Sequence, residues 1–217
     1  MTTLRHRIAR VALILLAPLM VAACGINTIP TKEEAAKAAW AEVQNQYQRR
    51  SDLIPNLVET VKGYAAQEKS VLTEVTQARA SATQVRVDAS TLTDPAKFQE
   101  YAQAQDRLSG VLGRLMMIQE SYPDLKSNQN FLALQSQLEG TENRIAIARR
   151  DYNDAVRSYN LEFKTFPNSI WTVVHRNSKP MQMFQASAQA QSAPSVSFAP
   201  TGPAIAPGSP PPAKPAQ

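Results

Sequence analysis

The stretch from Ser121 to Pro167 constrains this chain more than any other part of it. Phe131, Leu134, Leu138, Ile145, Tyr152, Val156, Tyr159 and Phe163 recur three, four or seven residues apart, the period that gathers side chains on one face of an α-helix. Between Pro123 and Pro167 there is no proline, and Gly140 is the only glycine. A helix from Asn128 to Lys164 makes a rod of about 55 Å at 1.5 Å per residue. An apolar stripe of that length needs partner helices to cover it.

The preceding residues supply them. Thr31-Lys32-Glu33-Glu34 reads as a capping box opening a first helix, with Ala36, Trp40, Val43 and Tyr47 along one face. Pro55 cannot donate an intrahelical hydrogen bond, so a turn or sharp kink is expected at Ser51 to Pro55, with Asp52 as a new N-cap. A helix unbroken from Thr31 to Ala82 would reach about 80 Å, well beyond its partners. The second helix carries Ile54, Leu57 or Val58, Val61, Ala65, Leu72 and Val75, and frays across Ser81 to Ser90. Thr93-Asp94-Pro95 is a cap followed by proline at the first helical position. The third helix then buries Phe98, Tyr101, Ala102, Leu108, Val111, Leu112, Leu115 and Ile118 and stops at Tyr122-Pro123. Asp124 to Ser127 form a turn, and Ser127 or Asn128 caps the long helix. Four long helices on short connections predict an all-α fold, an up-and-down antiparallel four-helix bundle. A single cysteine excludes an intramolecular disulfide, so the fold must rest on burial.

The N-terminus reads as an address. Arg5, His6, Arg7 and Arg10 precede an apolar run from Val11 to Val21, the layout of a secretory signal. The run is too short to span a bilayer comfortably. It ends in Val21-Ala22-Ala23-Cys24, which resembles a lipobox and predicts cleavage after residue 23 with acylation of Cys24. The alternatives are an uncleaved signal anchor and an ordinary signal peptide beside an incidental cysteine. Two or three acyl chains hold a protein on a bilayer without a transmembrane helix. Gly25, where an Asp could stand, favours the outer membrane by analogy with Gram-negative lipoprotein sorting. Removing Arg5, Arg7 and Arg10 leaves 20 Lys and Arg against 18 Asp and Glu, a net charge of +2. The apparent basicity is therefore mostly export signal, and no basic stripe interleaved with aromatics supports nucleic-acid binding.

The expected organisation is a signal peptide over 1–23, a tether over 24–30, a bundle over 31–184 and a Pro, Ala, Ser and Gln-rich tail over 185–217. A short helical piece is expected at Ser169 to His175. The tail holds one charge, Lys214, and such a composition predicts disorder. Met181, Met183, Phe184, Val196 and Phe198 are apolar exceptions, read as sticky disorder, with docking on the bundle or on lipid as the alternative.

Several motifs resemble the bacterial LemA family. They are Trp40-x-x-Val43-x-x-Gln46-Tyr47-x-Arg49-Arg50-x-Asp52-Leu53-Ile54-Pro55-Asn56-Leu57-Val58, Tyr122-Pro123-x-Leu125-Lys126-x-Asn128, Leu138-Glu139-x-x-Glu142-Asn143-x-Ile145, and Tyr152-Asn153-x-x-Val156-x-x-Tyr159-Asn160. The resemblance covers residues 31 to about 185. It implies a bromodomain-like bundle attached to the bacterial envelope. Many members keep an uncleaved N-terminal transmembrane helix where this chain has a lipobox.

The candidate site residues are polar groups on or near the seam. Glu142 and Arg149 are seven apart and in phase with Ile145, Tyr152 and Val156; they read as register-fixing ions, or as a partner groove. Tyr152-Asn153 and Tyr159-Asn160 repeat at one heptad and read as core tyrosines with satisfied hydroxyls. Arg49, Arg50 and Asp52 beside Pro55 read as a solvated turn, or as a recognition site at a bundle end, and Asn143 is a further candidate for the partner surface or polar seam. No cofactor or metal is expected, since His175 stands alone and Cys24 is the only cysteine. No Ser or Cys has a histidine placed to activate it. The expected role is a non-enzymatic envelope lipoprotein, held by lipid through Cys24, that scaffolds or regulates a membrane partner. The alternatives are a self-associating protein that coats the membrane and a ligand-binding bundle. No small-molecule substrate is identified.

Overall fold

A computed structural model describes residues 27–85, 88, 90–166, 168–173 and 175–185. The chain divides into two units, Met1–Phe184 and Gln185–Gln217. Cys24, the signal segment, residues 24–26 of the expected tether and the tail from residue 186 onward, with Val196 and Phe198, lie outside the described residues.

Four long helices dominate the first unit: α1 Thr28–Tyr64, α2 Lys69–Gln84, α3 Pro95–Met117 and α5 Gln129–Glu162, with a single helical turn, α4 Pro123–Lys126, before the last. Short 3-10 segments at Ile118–Ser121 and Asn168–Val173 complete the helical structure. Among the described residues no helix is long and apolar enough to cross a membrane. α1 and α5 run antiparallel: Glu33 meets Tyr159 near one end, Arg50 meets Glu142 midway, and Tyr64 meets Asn128 at the other end. α2 and α3 form a second antiparallel pair, with Arg114 bonded to Glu74 and Gln105 to the Ala82 carbonyl. The fold is the expected all-α bundle.

The seam of α5 is buried at Phe131, Leu138, Ile145, Tyr152, Val156 and Tyr159. Asn128 caps this helix, its side chain accepting from the Phe131 N–H, and Asp94 caps α3 by accepting from Ala96 and Lys97.

Two expected boundaries are corrected. α1 passes Pro55 without interruption and ends at Tyr64, before the turn at Ala65 to Glu68. The proline deprives the Ser51 carbonyl of its helical donor. Arg79 of α2 supplies one, its Nε donating to that carbonyl at 2.9 Å and to Ser51 Oγ at 3.2 Å. Asp52 is no cap; it accepts from Gln48 Nε2 at 2.7 Å, one turn back. The capping box does not form either, because α1 already starts at Thr28 and Thr31 Oγ1 donates to the Asn27 carbonyl at 2.7 Å. Pro30 then sits in the first turn, where no helical N–H is needed.

Helix lengths differ. α1 and α5 have 37 and 34 residues while α2 and α3 have 16 and 23, so the first pair is longer by about 15 to 30 Å. The excess lies at the chain-start end, since Trp40 of α1 is level with Phe98 near the start of α3. Residues 178–184 cover part of the α5 face exposed there. Met181 and Phe184 are buried in the same core as Ile29, Trp40, Tyr152 and Tyr159. That segment docks on the bundle rather than behaving as sticky disorder, while Met183 points outward and is exposed.

Candidate functional site

Two polar arrangements interrupt the apolar core, and they meet where Arg149 covers the Phe184 ring. The first is a belt halfway along the rod. Arg50 is only 1% exposed, although sequence places it beside exposed Arg49 and Asp52. Its Nη1 donates to Ser109 Oγ at 2.6 Å and to Glu142 at 3.0 Å, and its Nη2 to Gln105 Oε1 at 2.6 Å. Gln105 passes the connection on, its Nε2 donating to the Ala82 carbonyl at 3.2 Å. One guanidinium thereby ties α1 to α3 and α5, and through Gln105 to α2. A buried cation needs this degree of compensation, because desolvation alone would expel it. The Arg50 guanidinium also lies 4.9 Å from the Tyr47 ring centroid.

Beside the belt, Arg149 pairs with Asp106 at 3.0 Å. Both ion pairs open on a cleft of about 280 Å³ lined by Tyr47, Arg50, Gln105, Asp106, Ser109, Glu142 and Arg149. Tyr47 Oη and Arg50 Nε are buried with no hydrogen-bond partner among the described residues. Burial pushes the Tyr47 phenol up from its ordinary value, against the pull of Arg149 and Arg50.

The second arrangement is a clamp. Asn153 Nδ2 donates to the Phe184 carbonyl at 3.0 Å, and its Oδ1 accepts from the Phe184 N–H at 2.9 Å. Seven residues on, Asn160 does the same for Met181, at 2.8 and 2.9 Å. Each asparagine thus gives one residue of the docked segment both bonds that a neighbouring strand would give. The adjacent tyrosines extend the pattern: Tyr152 donates to the Gln182 carbonyl at 2.9 Å and Tyr159 to the Lys179 carbonyl at 3.1 Å. From the other side the Leu92 carbonyl accepts from the Gln182 N–H at 2.7 Å. The register follows from geometry. Seven helical residues rise about 10.5 Å, and three extended residues span about 10 Å. A heptad on α5 therefore matches a three-residue step on the strap.

The Phe184 ring sits among Phe98, Tyr152 and Trp40 at centroid distances of 4.9, 5.7 and 6.0 Å. The Arg149 guanidinium covers it at 4.4 Å, a cation–π contact. Burial raises the Tyr152 phenol and, with the Glu33 charge, carries Tyr159 up to about 12. Both stay neutral donors over the physiological range.

Glu142, Arg149, Tyr152, Asn153, Tyr159 and Asn160 are brought into these two arrangements with Arg50. Arg49, Asp52 and Asn143 are left on the surface. Sequence reasoning missed Tyr47, Gln105, Asp106 and Ser109 as members of the belt, and Met181 and Phe184 as the object of the clamp. The Tyr-Asn repeat was the available signal for the latter. Among the described residues no three His, Cys, Asp or Glu side chains gather as metal ligands would.

The model of the LemA family matches residues 39–198. Magnetosome protein MamQ 2 of Paramagnetospirillum magneticum is 27% identical over 157 residues, covering 65% of this chain and 58% of its own length. Magnetosome protein MamQ of Magnetospirillum gryphiswaldense is 26% identical over the same extent. Protein LemA of Metamycoplasma hominis is 25% identical over 146 residues, covering 67% of this chain and 61% of its own length. The chain thus spans about three fifths of the length of these curated relatives.

Proposed function

The chain belongs to the LemA family, and on that premise we propose that it is a membrane-attached, non-enzymatic bundle that scaffolds or regulates a partner in the cell envelope. The observation that carries this reading is the fate of its polar side chains. Arg50, Gln105, Ser109 and Glu142 bond one another across α1, α3 and α5, and the Tyr-Asn pairs are spent on backbone groups of 178–184. Catalysis needs a nucleophile or base free to act on a bound group; these groups hold a shape instead. The attachment rests on the basic and apolar start of the chain and on Val21-Ala22-Ala23-Cys24, four residues before α1 begins. The partner would meet the outer faces of α1 and α5, where Arg49, Asn143 and Arg150 are exposed.

Intact mass and membrane fractionation of the wild type and Cys24→Ala test the attachment. A mature chain starting at Cys24 with added acyl mass, released from membranes in the variant, is the expected result. A full-length chain retained unmodified replaces the lipoprotein with an uncleaved anchor, and a wild type found only in the soluble fraction overturns attachment. A second reading, a ligand-binding bundle, is favoured by the cleft beside Arg50 and its Tyr47 hydroxyl, which has no partner among the described residues. Displacement of Tyr47 and Arg149 resonances by a small polar ligand would establish it.

A further inference from the structure

The chain-start end of the rod combines three features. The last turn of α5 and the chain beyond it expose large apolar side chains there: Leu161 is 54% exposed, Phe166 83% and Val173 65%. Phe163 and Trp171, from the same stretch, are half-buried and pack on the core, so the segment is fixed to the bundle while its other apolar groups face outward. Around them Lys164, Arg176 and Lys179 are exposed cations. The acidic groups of this end are largely engaged: Glu33 with Lys37 and Ser178, Glu162 with Asn168, and Glu34 with Lys37. Finally, α1 begins at this end, because α1 and α5 are antiparallel and Glu33 meets Tyr159.

We infer that this end rests on the bilayer surface, with Leu161, Phe166 and Val173 entering the headgroup region and Lys164 and Arg176 facing anionic lipid phosphates. The inference rests on the N-terminal attachment proposed above, and it holds for an acylated Cys24 and for an uncleaved anchor alike. Thr28 stands only four positions after Cys24, a span of at most about 14 Å, so either anchor keeps α1's first turn near the lipid. Exposed Phe, Leu and Val beside a tryptophan and several cations is the chemistry of an interfacial contact. The opposite end also exposes apolar groups, Tyr64, Met117 and Leu132, yet lies a full helix length from the anchor. There Tyr64 Oη is bonded by Asn128, and Lys126 is paired with Glu120. That end provides the internal control.

The test uses the full chain, purified with its own anchor and placed in vesicles of phosphatidylcholine and phosphatidylglycerol with brominated or ordinary acyl chains. The chain has two tryptophans, of which Trp40 is buried in the core. Brominated lipid is expected to quench part of the emission, and Trp171→Phe to abolish that quenching. Phe166→Asp with Val173→Asp should reduce it, whereas Met117→Asp should leave it unchanged; circular dichroism confirms that each variant is folded. A chain retained on vesicles with unquenched emission, or quenching indifferent to the Phe166 and Val173 changes, overturns the contact and leaves attachment standing. A chain that does not stay on the vesicles overturns both.

Discussion

The two halves of the core are made of different residues, and the contrast follows from what encloses each. Away from the chain start all the helices contribute, and the interior is aliphatic: Ile54, Leu57, Val61, Leu72, Val75, Leu108, Leu115 and Leu138, with Phe131 the one fully buried ring. Toward the chain start the shorter pair runs out, and the interior becomes aromatic: Trp40, Tyr47, Phe98, Tyr101, Tyr152, Tyr159 and Phe184. Helices satisfy their own backbones, so aliphatic faces suffice where helices meet helices. An extended strap has no internal hydrogen bonds, so whatever covers α5 must also be given donors and acceptors. Tyr and Asn meet both needs, since each offers packing surface and a polar tip. The Arg50 belt marks the boundary between the two regimes.

Breaking that boundary should have the largest effect. Arg50→Ala is expected to cost about 3 kcal/mol, toward the low end for severing a buried ion pair because Glu142 keeps contact with water. Denaturant unfolding reads the loss. Arg50→Met combined with Glu142→Leu should recover most of it, since an apolar pair of similar volume replaces a costly ionic one; failure to recover would show that Gln105 and Ser109 depend on the charge. The next contrast separates the halves. Leu115→Ala should cost about 3 kcal/mol of global stability, because the four-helix half cannot relax piecemeal. Phe184→Ala removes a larger group, yet should lower global stability by less than about 2 kcal/mol, because the strap can undock by itself. Hydrogen exchange should show amides 181–184 opening while those of α5 stay protected. Equal loss of protection in both would mean that the strap and helices form one cooperative unit. Smaller again is Asn160→Ala, which strips Met181 of both backbone partners and should cost about 1 to 2 kcal/mol, confined to the strap.

The helical half was legible because its signal is local. The heptad spacing from Phe131 to Tyr159 and the Asp94-Pro95 start each lie within one element. Pro55 misled because its remedy, Arg79, comes from another helix, 28 residues from Ser51. Arg50 looked like a surface charge for the same reason: its partners are 55, 59 and 92 residues away. The strap's own sequence carries little signal, since the clamp grips its backbone and only Met181 and Phe184 fill sockets. The informative pattern was on α5, where an asparagine follows each seam tyrosine. Two amide side chains repeated beside a core seam were a sign that something without a helical backbone would lie there.

The finest test of the contrast concerns the strap's far end, where Ser178 Oγ donates to Glu33 at 2.7 Å and Tyr159 donates to the same carboxylate at 3.5 Å. Burial alone would raise the Glu33 carboxyl, but the Ser178 and Tyr159 hydroxyls and the Lys37 ammonium outweigh it and hold the group below its ordinary value. A lowered folded-state pKa means that the charged form is the one the fold prefers. The stabilisation is therefore present above the unfolded carboxyl's range near 4.5 and is lost as pH falls through the lower folded value. Its size should be about 0.5 kcal/mol, as for a partly exposed pair. Protection factors at Ser178, Lys179 and Met181, taken after correction for the intrinsic pH dependence of exchange, should fall on acidification below about 4.5 more than those at Leu112 or Leu115 do. Ser178→Ala should shrink that difference without touching the aliphatic half. An identical acid response at both ends would mean that Glu33 does not secure the strap, and that the clamp from Asn160 to Asn153 holds it unaided.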